Sequence, residues 1–123
     1  MESAYDLFHR GTALLEAGDA HAAVVALSRA AELEPQKASV REALGRALFG
    51  AQRYAEAAVE FRVVADGAPT NDYALFCLGR SLQLLGDHAA ARHPLALAAT
   101  LRPERADYQR YLERARRGAG EAP

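Results

Sequence analysis

A glycine, an alanine and a proline return at one unchanging interval, three times in succession. The glycines are Gly11, Gly45 and Gly79; the alanines are Ala23, Ala57 and Ala91; the prolines are Pro35, Pro69 and Pro103. Each proline follows its glycine at the same distance, with no insertion or deletion. A period of about 34 residues marks stacked units, each too small to bury its own apolar faces. Chains built this way work through a surface more often than through a catalytic pocket.

The periodicity inside each unit is helical. In the first, Leu7, Gly11 and Leu14 fall at i, i+4 and i+7, one face of a helix. Ala17-Gly18-Asp19 interrupts it: glycine adopts the left-handed conformation that ends a helix, and an aspartate caps the next. Ala23, Leu27, Ala30 and Ala31 form a second apolar face, which stops at Pro35 because proline cannot continue the hydrogen-bonding pattern. The second unit repeats the order with Leu44, Gly45, Leu48, Ala57, Phe61, Val64 and Pro69, and the third with Leu78, Gly79, Leu82, Ala91, Leu95, Ala98 and Pro103. Each unit is a helical hairpin in which Gly and Ala admit close helix approach. Leu14, Leu48 and Leu82 fill one layer, and Leu27, Phe61 and Leu95 the other.

This arrangement resembles the tetratricopeptide repeat over residues 4–105. The resemblance implies an all-α fold: a right-handed superhelical solenoid of three antiparallel helix pairs plus one capping helix. The expected organisation is a single domain over 1–117, with repeats at about 4–37, 38–71 and 72–105, a capping helix at about 105–117 and a flexible tail at 118–123. The family often places Trp or another large residue early in the first helix, where this chain has Leu7, Arg41 and Leu75. Arg41 departs, so that layer of the second repeat is expected to be looser or to use the aliphatic stem of the arginine.

Two further segments need a reading of their own. Tyr108, Tyr111, Leu112 and Ala115 share one face of a terminal helix, with Arg110, Arg114 and Arg117 opposite. This helix reads as a cover for the last repeat, and its register is not expected to match a fourth repeat. Pro94 lies within the expected second helix of repeat 3, where it costs about 3 kcal/mol. A kink, or a helix that starts later than its counterparts, is the expectation there.

Set on a helical wheel, a second stripe of the first helices lies roughly a quarter circle or more from the core stripe, at about 100° per residue. It holds Tyr5, Phe8, Thr12, Leu15 and Glu16 in repeat 1, and Ser39, Glu42, Arg46, Phe49 and Gly50 in repeat 2. Repeat 3 contributes Tyr73, Phe76, Arg80, Gln83 and Leu84. The resemblance implies that this stripe lines a concave groove receiving a peptide or helix of a partner protein. Tyr, Phe and Arg are the residue types that anchor interfaces. The candidate groove is therefore Tyr5, Phe8, Thr12, Glu42, Arg46, Phe49, Tyr73, Phe76, Arg80 and Gln83. Phe8 and Phe76, nearest the core stripe, are expected to be partly buried. The plainer alternative is that the rings pack between helices and that Arg46 and Arg80 pair with Glu42 or Glu16. A subset of the family clamps the C-terminal carboxylate of heat-shock chaperones with Lys, Asn and Arg. The matching places here hold Phe8, Thr12, Ala43, Tyr73 and Cys77, which lack those donors, so that activity is disfavoured.

Composition narrows the function classes. The net charge of −1 gives no general pull toward nucleic acid or membrane. The charge is uneven: residues 1–36 carry six acids against two arginines, and residues 102–117 carry six arginines against three acids. The lone Cys77, set among Leu75, Phe76 and Leu78, reads as a packed thiol. The four histidines, His9, His21, His88 and His93, lack metal-site spacing, and no nucleophile elbow or phosphate-cradling loop is present. No cofactor, metal or enzymatic activity is expected. The N-terminus lacks the apolar run of a signal peptide, so the expectation is a cytoplasmic protein adaptor. The alternatives are a self-associating structural protein that forms a homodimer, and a secretion-type chaperone holding a client segment.

Overall fold

Polar residues at the helix starts, and glycine or its substitute at the turns, divide the described residues into seven helices. The computed structural model describes residues 1–120, and the last three residues of the expected tail, 121–123, lie outside the described residues. The helices are α1 (Ala4–Glu16), α2 (Ala20–Leu33), α3 (Ala38–Gly50), α4 (Tyr54–Gly67), α5 (Asp72–Leu84), α6 (His88–Leu101) and α7 (Ala106–Gly118). Among the described residues there is no strand, and no helix is long and apolar enough to cross a membrane.

Four of the helix starts are fixed by side-chain caps. Ser3 and Asp6 form a reciprocal capping box on α1, satisfying two otherwise orphaned amides. Asp19, Asn71 and Asp87 accept from the amides of Ala22, Ala74 and Ala90 at 3.1–3.2 Å. The turns between paired helices need a left-handed residue. Gly18 and Gly86 supply it at φ of 83° and 86°, and Gln52 takes the matching place in the middle repeat at φ of 63°. A side chain meets a steric penalty there that glycine does not. Gln52→Gly is expected to raise the unfolding free energy by about 1 kcal/mol, less the entropy glycine adds to the unfolded chain. Urea denaturation checks the sign.

The chain forms two compact units, Met1–Glu60 and the segment from Phe61 on. In the first, α1 and α2 form a hairpin and α3 packs on both. Leu7, Ala23, Ala26, Leu27 and Ala30 are fully buried. A Cβ on Gly11 would come within 2.5 Å of Leu27 Cγ, so the glycine is what lets α1 and α2 meet. Arg41 does more than lay its stem in an apolar layer. Its Nε donates to the Pro35 carbonyl at 3.0 Å, and its Nη1 reaches both carboxylate oxygens of Glu60 at 3.0 and 3.1 Å. Glu60 stands where the neighbouring repeats have Ala26 and Pro94, one repeat length away on either side. The middle repeat has thus exchanged an apolar pair for an ion pair.

In the second unit, α5 and α6 form a hairpin covered by α7. Its core gathers Val64, Ala74, Leu75, Ala91, Leu95, Ala98, Tyr108, Leu112 and Ala115. Gly79 approaches Leu95 as Gly11 approaches Leu27, with an added Cβ again 2.5 Å from the leucine Cγ. Gly79→Ala is expected to cost about 1–3 kcal/mol through overpacking, read as a lower denaturation midpoint. Cys77 is half-buried.

Two expectations are corrected. The later start predicted for α6 is not found: α6 begins at His88, one full repeat after Tyr54, and runs uninterrupted through Pro94 to Leu101. Pro94, Leu95, Ala98 and Ala99 are buried. Keeping such residues in register, at about 1.5–3 kcal/mol for each large side chain, offsets the hydrogen bond that Ala90 loses. The terminal helix does keep the repeat register. It starts one full repeat after Asp72 and ends one full repeat after Leu84, so Gly118 belongs to α7. Its residues hide this. Gln109, Glu113 and Arg116 occupy the places that in repeat 1 belong to Leu7, Gly11 and Leu14, and all three are exposed. Where the earlier first helices present an apolar face to a paired helix, α7 presents a polar one.

Candidate functional site

In the first unit, α1 presents an aromatic edge. Tyr5 is 70% exposed and Phe8 is half-buried. The His9 ring sits between them, with centroids 4.2 Å from Tyr5 and 5.7 Å from Phe8. These three residues line a recess of about 240 Å³ with Ala4, Glu34, Lys37, Ser39 and Val40. An apolar floor with Lys37 and Glu34 at its margin suits an apolar anchor flanked by polar groups. The other stripe residues vary in access. Thr12 is half-buried and its hydroxyl donates to the His9 carbonyl at 3.1 Å. Glu42 is half-buried, and Arg46 is exposed with no ion-pair partner among the described residues. Phe49 is half-buried, edge-on to Tyr54 at 5.2 Å.

In the second unit the stripe is partly occupied by the chain itself. Tyr73 is 41% exposed. Phe76 stacks on Tyr108 of α7 with centroids 4.6 Å apart and planes at 26°. For Phe76 the plainer alternative, a ring packed between helices, therefore describes what is seen. Gln83, placed on the groove by its wheel position, is 7% exposed. Its amide donates to the Tyr111 carbonyl at 3.1 Å and its oxygen accepts from Arg80 at 2.7 Å. A wheel for α5 has no knowledge of α7, and Gln83 is occupied in holding that helix.

The docking of α7 has a polar centre. The fully buried Tyr108 donates its hydroxyl to Asp72 at 2.6 Å. Burial first, then this hydrogen bond, pushes the Tyr108 phenol well above its ordinary value. Arg105 lies over the same ring at 4.6 Å. At the far end of α7 the His88 ring sits against Gly118, where a Cβ would collide with it. Among the described residues no group of three or more His, Cys, Asp or Glu is placed to hold a metal ion.

Comparison with known proteins places this fold. No family model and no curated protein matches the sequence. Solved structures do match. The chain aligns to one described as "MamA D159K mutant 1" at a TM-score of 0.89 and 25% identity, over 97% of this chain and 69% of that one. It aligns to "MamA MSR-1 C2" at 0.90 and 25%, over 97% and 68%. It also aligns to "First TPR of Spaghetti (RPAP3) bound to HSP90 peptide SRMEEVD" at 0.87 and 14%, over 97% and 94%. The last likeness is one of fold alone. With its repeat register expressed as helix pairs, and the same fold in these structures, the chain has the tetratricopeptide-repeat fold.

Proposed function

We propose that this protein is a non-enzymatic adaptor that binds a peptide or helix of a partner protein through the inner stripe of its first helices. The observation that carries the reading is Tyr5, 70% exposed beside the recess formed with Phe8 and His9. A large aromatic ring left in water next to an apolar recess is the composition of a binding anchor. The RPAP3 repeat domain of the same fold holds a peptide, which supports this use of the architecture. Tyr5→Ala with Tyr73→Ala removes the two most exposed rings of the stripe without opening the core. Loss of the pair, at about 2 kcal/mol or more in total, corresponds to at least about thirtyfold weaker capture. Affinity capture from the source cells, quantified for wild type and variant, checks this. Undiminished capture by the variant contradicts the stripe assignment.

One observation favours self-association as a second reading. In the second unit the exposed Leu97 borders a recess of about 400 Å³ that includes Pro94, Leu75 and Leu78. Light scattering over a concentration series separates the readings: a mass that stays monomeric favours the adaptor.

A further inference from the structure

The repeat register extends the inner stripe onto α7, and there it changes chemistry. The position of Phe8, Glu42 and Phe76 becomes Arg110, and the position of Thr12, Arg46 and Arg80 becomes Arg114. In the second unit these arginines converge on a single ring. The guanidinium carbons of Arg80, Arg114 and Arg110 lie 4.0, 4.9 and 5.9 Å from the centroid of Tyr111. That ring is a fixed platform. It rests on Phe76 at 5.6 Å, and its own carbonyl is held by Gln83.

A guanidinium attracted to an aromatic face is restrained in position while its N–H fork stays available for a planar anion. Arg110 and Arg114 are exposed, and among the described residues neither has a carboxylate within ion-pair distance. Asp107, one turn before Arg110, is held by Arg105 through two hydrogen bonds of 3.0 and 2.8 Å. Clustered like charges repel, and a bound anion removes that repulsion. Bidentate arginine–carboxylate bonds are among the stronger polar contacts available to a protein.

We propose that Arg110 and Arg114, positioned by Tyr111, recognise acidic side chains in the partner's bound segment. The inference rests on the adaptor reading for the ligand being a peptide and adds the charge that peptide carries. Fluorescence anisotropy with two labelled probes tests it: a peptide alternating glutamate with leucine, and the same peptide with glutamine for glutamate. The full-length protein is expected to bind the glutamate peptide about tenfold more tightly, a difference of roughly 1.4 kcal/mol. Arg110→Gln with Arg114→Gln should abolish that preference while the helical circular dichroism stays at the wild-type level. Arg110→Lys with Arg114→Lys should retain only part of it, since lysine lacks the fork. Equal affinity for the two peptides overturns the site, as does an unaltered preference in the glutamine variant. A uridine homopolymer that displaces the glutamate peptide at lower concentration than the peptide itself assigns the site to nucleic acid and also overturns it. The Tyr5→Ala/Tyr73→Ala variant keeps the two readings apart. It should lose native partner capture yet keep the glutamate-over-glutamine ratio.

Discussion

Tyr108→Ala is expected to destabilise the protein by about 3–5 kcal/mol, the cost of emptying a core aromatic site. The ring is fully buried, stacked on Phe76 and bonded to Asp72. Its loss removes the main wedge between α7 and the α5–α6 hairpin. Amide exchange should therefore accelerate in Ala106–Gly118 before it does in α1–α3. Uniform acceleration through α1–α7 would contradict the placement. Tyr108→Phe separates the hydroxyl from the ring. It keeps the stacking and removes the hydroxyl donor from the Asp72 carboxylate, which retains Arg102 at 3.8 Å, at a cost of about 1–3 kcal/mol. The hydroxyl also predicts an alkaline response. The folded phenol is raised above its ordinary value, while the unfolded chain ionises near about pH 10. The stabilisation is therefore present in full below about pH 10 and is lost as pH rises beyond it. Tyr108→Phe should lose less stability than wild type across that range.

The second large effect concerns Arg41 and Glu60. Their side chains are only 24% and 12% exposed, so removing one partner leaves a largely desolvated charge. Glu60→Ala or Arg41→Leu alone is expected to cost about 2–3 kcal/mol. The double variant Arg41→Leu/Glu60→Ala installs the two buried apolar residues that repeat 1 has at these places, Leu7 and Ala26, and should recover most of the loss. Chemical denaturation of the four proteins gives the coupling energy. Additive losses would show that the two residues act independently and that the exchange is not a compensated one.

These two sites also show what the sequence makes legible. The Gly–Ala–Pro register locates six helices because it reports close helix approach, which only small residues permit. Gly11 and Gly79 each sit where a Cβ would strike a leucine of the paired helix. Arg41 stands out in that register as a departure. Its compensation by Glu60 lies 19 residues away, and a helix wheel treats each helix alone. The register of α7 was hidden for a related reason. The repeat pattern reports packing against a second helix, and among the described residues none pairs with α7 in that way; Gln109, Glu113 and Arg116 replace the motif while the helix boundaries persist. The inner stripe is equally uneven. The half-buried state of Phe8 and Phe76 follows from their angle to the core. The burial of Gln83 and the gathering of arginines on Tyr111 depend on where α7 docks. The pattern Tyr108–Tyr111 was a signal that something aromatic lay beneath.

The central claim, that the inner stripe receives the partner, is tested most directly by site-specific photo-crosslinking in the first unit. Tyr5 and Val25 are nearly equal in exposure, at 70% and 63%, and lie on different helices of one hairpin. A photoreactive residue at each, installed separately in the full-length protein, compares the two surfaces under the same conditions. The account predicts partner adducts from position 5 and few from position 25. Adducts formed chiefly from position 25 would contradict it.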